Sequence, residues 1–187
     1  MTCDRLLRGQ KVRLTALNDD DAATIARWHE DAQFLRLYDT QPAHPRTKAE
    51  ILQRIKDQRD DERTFAFAIR PFNAEELIGV LELDGVVWAH GVCAMSIGIG
   101  DRDDWGRGYG YEAARLALAF AFEELNLHRV TVTVFSYNER SRALFRKLGF
   151  QHEGTYREFL RRDGERHDML LFGLLRREWE ALKGNTG

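Results

Sequence analysis

The sequence has little cysteine, no long apolar run and no excess of charge of one sign. Cys3 and Cys93 are isolated and the six histidines show no ligand spacing, so we expect neither a disulfide framework nor a metal site. The longest uninterrupted apolar run, residues 116–122, is far too short to span a bilayer. The 28 Lys and Arg residues nearly balance the 30 Asp and Glu residues, which argues against nucleic acid as a partner.

The chain length and the amino-terminal residues narrow the class of protein further. At 187 residues, a single domain over 1–187 is the expectation. Residues 1–7 contain no long apolar core, so we expect no secretion signal and no membrane association. A cytoplasmic location is the default that follows from these expectations.

What the sequence does contain is a glycine-rich loop between a predicted strand and a predicted helix. The loop carries Gly106, Gly108 and Gly110, follows the apolar segment 94–100 and leads into a long apolar helix. Backbone without side chains lets a ligand approach closely, and the first N–H groups of a helix have no partner inside it. With the helix dipole and Arg107 in the loop, this arrangement favours a phosphate. On the loop alone, a tight turn without a ligand is an equally good interpretation.

Two familiar phosphate-binding loops do not fit this stretch. A Walker A loop ends in Gly-Lys-Ser/Thr, whereas this loop ends in Gly-Tyr-Gly-Tyr-Glu. A dinucleotide fingerprint needs a third glycine where Ala113 stands, and an acidic residue further along where the apolar strand 130–134 lies. A different kind of phosphate-binding α/β domain stays open as an alternative.

The pattern of apolar residues in the first half predicts strands and helices in alternation. Residues 11–17 alternate as a strand does, and Asn18 or Asp19 is expected to cap the helix that follows. Residues 31–46, which hold two of the three prolines, are expected to be irregular. Residues 47–50 form a capping box, which predicts the start of the next helix.

The second half predicts a meander, a crossover and a late hairpin. Three strands within 63–99, joined by short turns, are expected to form an antiparallel meander. A buried helix over 109–125 then leads to the β-branched strand 130–135, and this order favours parallel pairing of the two flanking strands. The remaining expected elements are a helix capped by Asn138 with Gly149 at its end, a hairpin over 153–174 and a helix over 176–183.

Four short motifs follow one another along the chain, and their order is informative. They are residues 105–113, 138–141, 148–150 and the pairs at 153–154, 163–164 and 167–168. The ordered set covers nearly the whole chain. It resembles the GNAT acetyltransferase superfamily, in particular the branch that contains the ribosomal-protein N-terminal acetyltransferases. The resemblance implies an α/β (α+β) GNAT fold, with a mixed central sheet, an antiparallel amino-terminal meander, two splayed parallel strands and flanking helices. It also implies acetyl-CoA as co-substrate, with no metal.

The resemblance further implies where acetyl-CoA lies. The backbone of Ile97, Gly98 and Ile99 pairs with the pantetheine arm as an added strand does, and an N–H near Ile97 or Ile99 meets the oxyanion. The glycine-rich loop holds the pyrophosphate. The residues implied to contact the co-substrate are Ile97, Gly98, Ile99, Trp105, Gly106, Arg107, Gly108, Tyr109, Gly110, Tyr111, Asn138, Ser141 and Phe145.

Two positions depart from the family pattern. Trp105 stands where the pattern has Arg or Gln, so Arg107 is the nearest cationic substitute. Phe145 stands where many members carry a Tyr that protonates the leaving thiolate, and a phenyl ring donates no proton. A thiol has a pKa of about 8.5, so the thiolate is a tolerable leaving group near neutral pH, and water or another hydroxyl can supply the proton.

An amine must be neutral before it attacks a thioester, and the sequence offers three groups that could take its proton. They are Glu82, Ser96 acting through water, and Glu112, although a glutamate in a strand often faces solvent and Glu112 also suits a helix dipole. The resemblance adds Asn138 near the thioester, so Glu82, Ser96 and Asn138 are the expected catalytic residues. The sequence shows no Cys–His or Ser–His pair, which favours direct transfer.

The expected acceptor is a primary amine, with a protein or peptide N-terminal α-amine preferred. Its pKa of about 8 makes it less dependent on a base than a lysine or a polyamine. Asp31, Asp39 and Glu158 are candidates for attracting a cationic amine. A small-molecule amine such as a polyamine or an aminoglycoside, and a catalytically silent CoA-binding protein, stay open as alternatives. Similar proteins are often homo-oligomers, so a homodimer or larger assembly is possible.

Overall fold

A computed structural model describes residues 6–184, in which a seven-stranded sheet carries helices on both faces. The strands are β1 (Val12–Ala16), β2 (Phe65–Pro71), β3 (Gly79–Val87), β4 (Val92–Ile99), β5 (Arg129–Phe135), β6 (Gln151–Arg162) and β7 (Glu165–Leu175). The helices are α1 (Asp21–Trp28), α2 (Ala32–Tyr38), α3 (Lys48–Asp60), α4 (Tyr109–Ala119), α5 (Glu139–Lys147) and α6 (Arg176–Gly184). A 3-10 turn (Arg102–Asp104) precedes α4, and a π-helical turn (Phe120–Glu124) follows it.

The sheet is antiparallel except at its centre. Its strand order is β1-β2-β3-β4-β5-β7-β6, and only β4 and β5 run parallel, with α4 crossing between them. Their pairing extends over three residue pairs, from Val92–Arg129 to Ala94–Thr131, and beyond it the two strands are no longer paired. The predicted meander, the parallel crossover and the splay of the two strands are therefore confirmed.

The two larger of three apolar cores in residues 6–184 lie on opposite faces of the sheet, and the two-residue period of β4 divides its side chains between them. Cys93 and Met95 belong to the core that packs under α4. Ser96 and Gly98 point to the other face, where α1, α2 and α3 pack. Glu82 pairs with Ser96 across β3 and β4, so it lies on that second face too. The fold thus brings polar side chains of β3 and β4 under α2.

The predicted irregular segment 31–46 contains a helix, so that prediction is wrong. Asp31 accepts a hydrogen bond from the Gln33 N–H at 2.9 Å and caps α2. Phe34 and Leu35 of this helix are buried, and their burial stabilises about two turns of helix that are too short to form alone. The prolines that suggested irregular structure lie beyond the end of α2.

The predicted cap of α1 is also wrong. Asp20 is the residue before the helix, and no side chain caps it. Asp21 instead accepts from the Asn18 N–H at 2.8 Å and forms a buried two-point ion pair with Arg70. The aspartate cluster at this helix start therefore serves a contact with β2 that is distant in sequence. In contrast, the predicted capping box at 47–50 is confirmed.

Within residues 6–184, no helix is long and apolar enough to cross a membrane, and no group of three or more His, Cys, Asp or Glu side chains is placed to hold a metal ion. Cys93 is a free, buried thiol, and burial, with Asp84 nearby, raises its pKa to about 12. Cys3 lies outside the described residues.

Candidate active site

The splay of β4 and β5 opens a cavity of about 700 Å³. Parts of residues 34–40, 95–99, 104–111, 133–135 and 138–147 line it. The residues of the predicted site that line it are Ser96, Ile97, Gly98, Ile99, Trp105, Gly106, Gly108, Tyr109, Gly110, Tyr111, Asn138, Ser141 and Phe145. Two predicted residues, Glu82 and Arg107, do not line it.

The backbone of β4 presents polar groups to this cavity at alternate residues. The Gly100 N–H donates to the Ile78 carbonyl, on the β3 side, at 3.0 Å. Because backbone groups alternate along a strand, Ile97 and Ile99 point theirs away from β3 and into the gap. The Ile99 carbonyl accepts a hydrogen bond from the Trp105 indole N–H at 2.8 Å. The N–H groups of Ile97 and Ile99 are thereby directed at the cavity.

The glycine-rich loop turns into α4 through left-handed backbone. Gly106 has φ of 77° and Gly108, which is the N-cap of α4, has φ of 87°. Glycine adopts this conformation without the steric cost that a Cβ brings. A Cβ at Gly108 would lie 3.2 Å from the Lys11 ammonium nitrogen. The first N–H groups of α4 and the Lys11 side chain therefore make this end of the cavity electropositive.

Arg107 does not line the cavity, whereas two other cations, Arg140 and Lys147, do. The Arg107 guanidinium lies 3.6 Å from the Asp104 carboxylate and is 57% exposed. Arg140 stacks over the Trp105 ring at 4.7 Å, and Lys147 lies over the Tyr111 ring at 4.5 Å. Sequence reasoning missed both α5 cations. The signal was their seven-residue spacing, which places them on one helix face.

Asn138 connects the two sides of the cavity. Its Oδ1 accepts from the Ser141 N–H at 3.1 Å and caps α5, as predicted. Its Nδ2 donates to the Leu37 carbonyl of α2 at 3.2 Å. The Tyr137 hydroxyl next to it donates to the Arg36 carbonyl at 2.5 Å. The start of α5 is thereby tied to the end of α2.

Glu82 and Ser96 lie opposite each other in the register of β3 and β4, beneath α2. Burial raises the pKa of the Glu82 carboxyl, while hydrogen bonds from Gln58 and Tyr38 and the charge of Arg54 act in the opposite direction. Ser96 lines the cavity, Glu82 lines only a smaller chamber behind it, and Tyr38 lines both. Sequence reasoning missed Tyr38, since it lies in the segment that was expected to be irregular.

The sequence profile of the acetyltransferase (GNAT) domain matches residues 11–151. The chain belongs to the GNAT acetyltransferase family. This acetyltransferase is 28% identical over 186 residues to the [ribosomal protein uS5]-alanine N-acetyltransferase of Escherichia coli (strain K12), which covers 96% of this chain and 92% of that protein. It is 26% identical over 171 residues to the uncharacterized N-acetyltransferase p20 of Bacillus licheniformis, and the match covers 91% of this chain and 96% of that protein.

The fold has a close counterpart among solved structures. The spermidine N-acetyltransferase from Vibrio cholerae, in complex with CoA and spermine, superposes with a TM-score of 0.83 at 22% identity, over 92% of this chain and 99% of that one. At this identity the likeness concerns the fold alone. The family match and the relatives confirm the predicted GNAT fold and the prediction of an acetyl-CoA-dependent N-acetyltransferase.

Two positions that were considered for proton transfer, Glu112 and Phe145, have structural roles in this acetyltransferase. Glu112 accepts hydrogen bonds from three backbone N–H groups, those of Gln10, Lys11 and Val12, at 3.0, 2.6 and 2.8 Å. It thereby fastens the start of β1 to α4. Phe145 is 3% exposed and packs against Phe150 at 5.3 Å, so it shapes the cavity wall and donates no proton.

Four acidic side chains of this acetyltransferase, at the cavity or on elements next to it, are paired with arginines. The pairs are Asp31 with Arg102 at 2.6 Å, Asp39 with Arg46 at 3.5 Å, Asp104 with Arg107 at 3.6 Å and Asp163 with Arg36 at 2.8 Å. The hydrogen bond from Arg102 lowers the pKa of the Asp31 carboxyl. Two of the three acidic residues that were candidates for attracting an amine are therefore already neutralised.

The third acidic candidate lies in an exposed bulge of the edge strand β6. Glu158 has φ of 52°, and the bulge displays Tyr156 and Phe159, which are stacked at 5.7 Å and about half exposed. Tyr156 pairs with Met169, which pairs with Phe135 of the cavity wall. The aromatic pair is therefore level with the cavity along the sheet.

Proposed function

We propose that this acetyltransferase acetylates a single amine of its acceptor, and that the amine is the N-terminal α-amine of a protein or peptide. The observation that carries the proposal is the pairing of both acidic side chains that line the cavity, Asp39 and Asp104, with arginines. A polyamine carries several positive charges and requires several free carboxylates nearby. An α-amine requires one base. The similarity to a ribosomal-protein alanine N-acetyltransferase supports the same acceptor class.

The exposed aromatic pair also favours a polypeptide acceptor. Tyr156 and Phe159 lie level with the cavity but outside it, where the residues that follow an acetylated N-terminus would pass. Exposed tyrosine and phenylalanine side chains bury much area at little cost in side-chain entropy, and they are enriched where proteins bind one another. A small amine would make no use of them.

The cavity residues fit acetyl-CoA, which supplies the activated acetyl group when bound. The N–H groups of Ile97 and Ile99 are free to pair with the pantetheine amides, and the start of α4 with Gly108 suits the pyrophosphate. Arg140 and Lys147 add positive charge where the phosphates would lie. We assign the phosphate-binding cation to Arg140 rather than to Arg107.

This assignment predicts a difference between two arginine variants. Arg140→Ala is expected to weaken acetyl-CoA binding about tenfold, because it removes a charged hydrogen-bond donor of a phosphate. Arg107→Ala should change the dissociation constant less than twofold, because that side chain is turned to solvent. Calorimetric titration with acetyl-CoA at two salt concentrations measures both. Equal losses in the two variants would contradict the assignment.

The proposed reaction is direct transfer. The acceptor arrives as an ammonium and gives one proton towards Glu82, and its lone pair then attacks the thioester carbonyl carbon. The new C–N bond forms as the C–S bond breaks, and the second amine proton neutralises the departing thiolate to give the CoA thiol. The N–H group of either Ile97 or Ile99 donates to the carbonyl oxygen as negative charge develops there. Asn138 holds α2 and α5 in place around these groups.

Glu82→Gln is expected to lower kcat about 100-fold without changing the dissociation constant of acetyl-CoA. A loss of about 100-fold is at the low end of what removing a general base costs. We expect the low end because an α-amine with a pKa of about 8 is already about one-tenth neutral at pH 7. Burial raises the Glu82 pKa above 4.5, so the carboxyl is protonated, and inactive as a base, below that raised pKa. Wild-type activity should therefore fall with decreasing pH earlier than a free glutamate would predict. Stopped assays of the purified variant across pH measure both effects, and an unchanged profile would remove Glu82 as the base.

The acceptor class is tested by thiol release with a panel of amines. We expect turnover with short peptides that begin with Ala, Ser or Met, and a KM that falls as the peptide is lengthened past two residues. Spermidine and an aminoglycoside should give at most a few per cent of that kcat/KM. Preference for spermidine would overturn the acceptor assignment, and acetyl-CoA binding without turnover of any amine would favour a silent CoA-binding protein.

A further inference from the structure

One residue joins the cavity to the base behind it. Tyr38, the last residue of α2, lines both the 700 Å³ cavity and a second chamber of about 30 Å³, whereas Glu82 lines only the chamber. Burial raises the pKa of Tyr38 while the neighbouring Ser96, which lines the cavity, acts in the opposite direction, and Tyr38 in turn acts to lower the pKa of Glu82. A row of polar side chains therefore leads from the acetyl-transfer site, through Tyr38, to the buried carboxyl group of Glu82.

The ring of Tyr38 is held firmly in this position. It stacks on Phe34 with a centroid distance of 5.3 Å and an angle of 15°. It also rests on the backbone of β4, because a Cβ at Gly98 would lie 2.8 Å from the ring. The adjoining residues Ile97 and Ile99 are those whose N–H groups face the gap. The phenol is thereby placed beside the backbone at which the acetyl group would react.

The chamber behind Tyr38 has mostly apolar walls, into which a few polar side chains reach. Its charged or titratable groups are His29 at the end of α1, Tyr38 from α2, Arg54 from α3 and Glu82 from β3. His29 is 3% exposed, and its Nδ1 has no hydrogen-bond partner among residues 6–184. Burial, with Arg46 and Arg54 nearby, lowers the His29 pKa to about 4, so the ring is neutral at physiological pH. A buried cavity can hold a water once it offers about 10–15 Å³ to a water-sized sphere, and buried polar atoms ordinarily find a partner.

We propose that Tyr38 is a catalytic residue that relays a proton from the acceptor amine to Glu82, and that the chamber holds one water between Glu82 and His29. The inference rests on the proposed function and names a further participant in it. As the amine gives a proton to the Tyr38 oxygen, the Tyr38 hydroxyl proton passes to the Glu82 carboxylate. The phenol is unchanged afterwards, and Glu82 returns its proton to solvent through the water. Beyond the chamber, Asp84 is a further charge that acts on Glu82.

Tyr38→Phe tests the relay, because it keeps the stacked ring and removes only the hydroxyl. We expect kcat to fall about 100-fold, with the KM of the peptide and the dissociation constant of acetyl-CoA within about twofold of wild type. The Tyr38→Phe/Glu82→Gln double variant should lose no more than about threefold beyond either single variant, because residues in one relay do not act independently. Tyr137→Phe is the matched control, since its hydroxyl bonds a carbonyl of α2 but lies outside the cavity lining. Its kcat should change less than threefold.

A measurement without co-substrate completes the test. The hydrogen bond from Tyr38 lowers the Glu82 pKa, so Tyr38→Phe should shift the carbon-13 titration of the Glu82 carboxyl to higher pH. A high-resolution crystal structure should show a water within hydrogen-bond distance of His29 Nδ1 and Glu82, and its absence overturns that part. Wild-type kcat in Tyr38→Phe, or multiplying losses in the double variant, overturns the relay while leaving Glu82 as the base. A wild-type protein that acetylates no amine overturns the proposed function instead.

Discussion

Gly108→Glu is expected to weaken acetyl-CoA binding about a thousandfold. The new side chain starts from left-handed backbone at the N-cap of α4, where the pyrophosphate is proposed to lie. A carboxylate placed about 4 Å from one phosphate charge costs about 4 kcal/mol at the polarity of a protein surface, which corresponds to about three orders of magnitude in the dissociation constant. Lys11 would pair with the new carboxylate and would be lost to the ligand as well. Calorimetric titration with acetyl-CoA and with CoA measures the loss.

A control variant separates this effect from backbone strain. Gly85 also has positive φ, at 60°, and a Cβ there would meet no atom within 4 Å. Gly85→Glu adds the same charge and the same kind of strain at the bulge near the end of β3, so its acetyl-CoA affinity should stay within about twofold of wild type. Unchanged affinity in Gly108→Glu, with the variant folded by thermal unfolding, would contradict the placement of the pyrophosphate.

Arg70→Met is expected to lower the free energy of unfolding by about 3–5 kcal/mol. Arg70 is 6% exposed and donates to both oxygens of Asp21 at 2.8 Å, to the Thr15 hydroxyl at 3.0 Å and to the Glu75 carbonyl at 2.5 Å. Methionine keeps the apolar stem but leaves the Asp21 carboxylate buried without its cation, which is the costly way to break a buried ion pair. Urea unfolding followed by circular dichroism measures the change.

Two further variants test that explanation. Asp21→Asn combined with Arg70→Met removes the stranded charge and keeps an acceptor for the Asn18 N–H, so at least half of the lost stability should return. Arg59→Met removes a cation from the exposed pair with Asp19, and its effect should stay below about 1 kcal/mol. A double variant no more stable than Arg70→Met alone would show that packing, not charge, is what Arg70 contributes.

The cofactor half of the site was predictable because its signals are local. Gly106 and Gly108 turn the chain into α4, and Asn138 caps α5, through backbone conformations and hydrogen bonds that span only a few residues. The orientation of Arg107 was not predictable. Whether a loop arginine faces a cavity or solvent depends on partners such as Asp104 and on which side of the loop the strands lie.

The proton-transfer half of the site was harder to predict, because it depends on contacts between distant parts of the chain. Glu82 could be placed on one face of β3 by alternation, but burial there raises its pKa only because α2 and α3 cover that face. Tyr38 gave no signal, since α2 is a short helix that is stabilised by burying Phe34 and Leu35. Tyr38 becomes part of the site only because its ring lies against Gly98, which is sixty residues further along the chain.

By itself, the sequence determined the order of the elements apart from α2, the glycine turn into α4, the caps of α3 and α5, and the family. These follow from periodicity and from short-range hydrogen bonding, which act within one or two turns of chain. Only the tertiary structure decided which polar groups lose their water and which keep it. It buried Glu82 and His29 behind Tyr38, neutralised Asp39 with Arg46 and left Arg107 in solvent. Desolvation and pairing determine what a charged group can do, and both depend on neighbours that the fold brings from elsewhere in the chain.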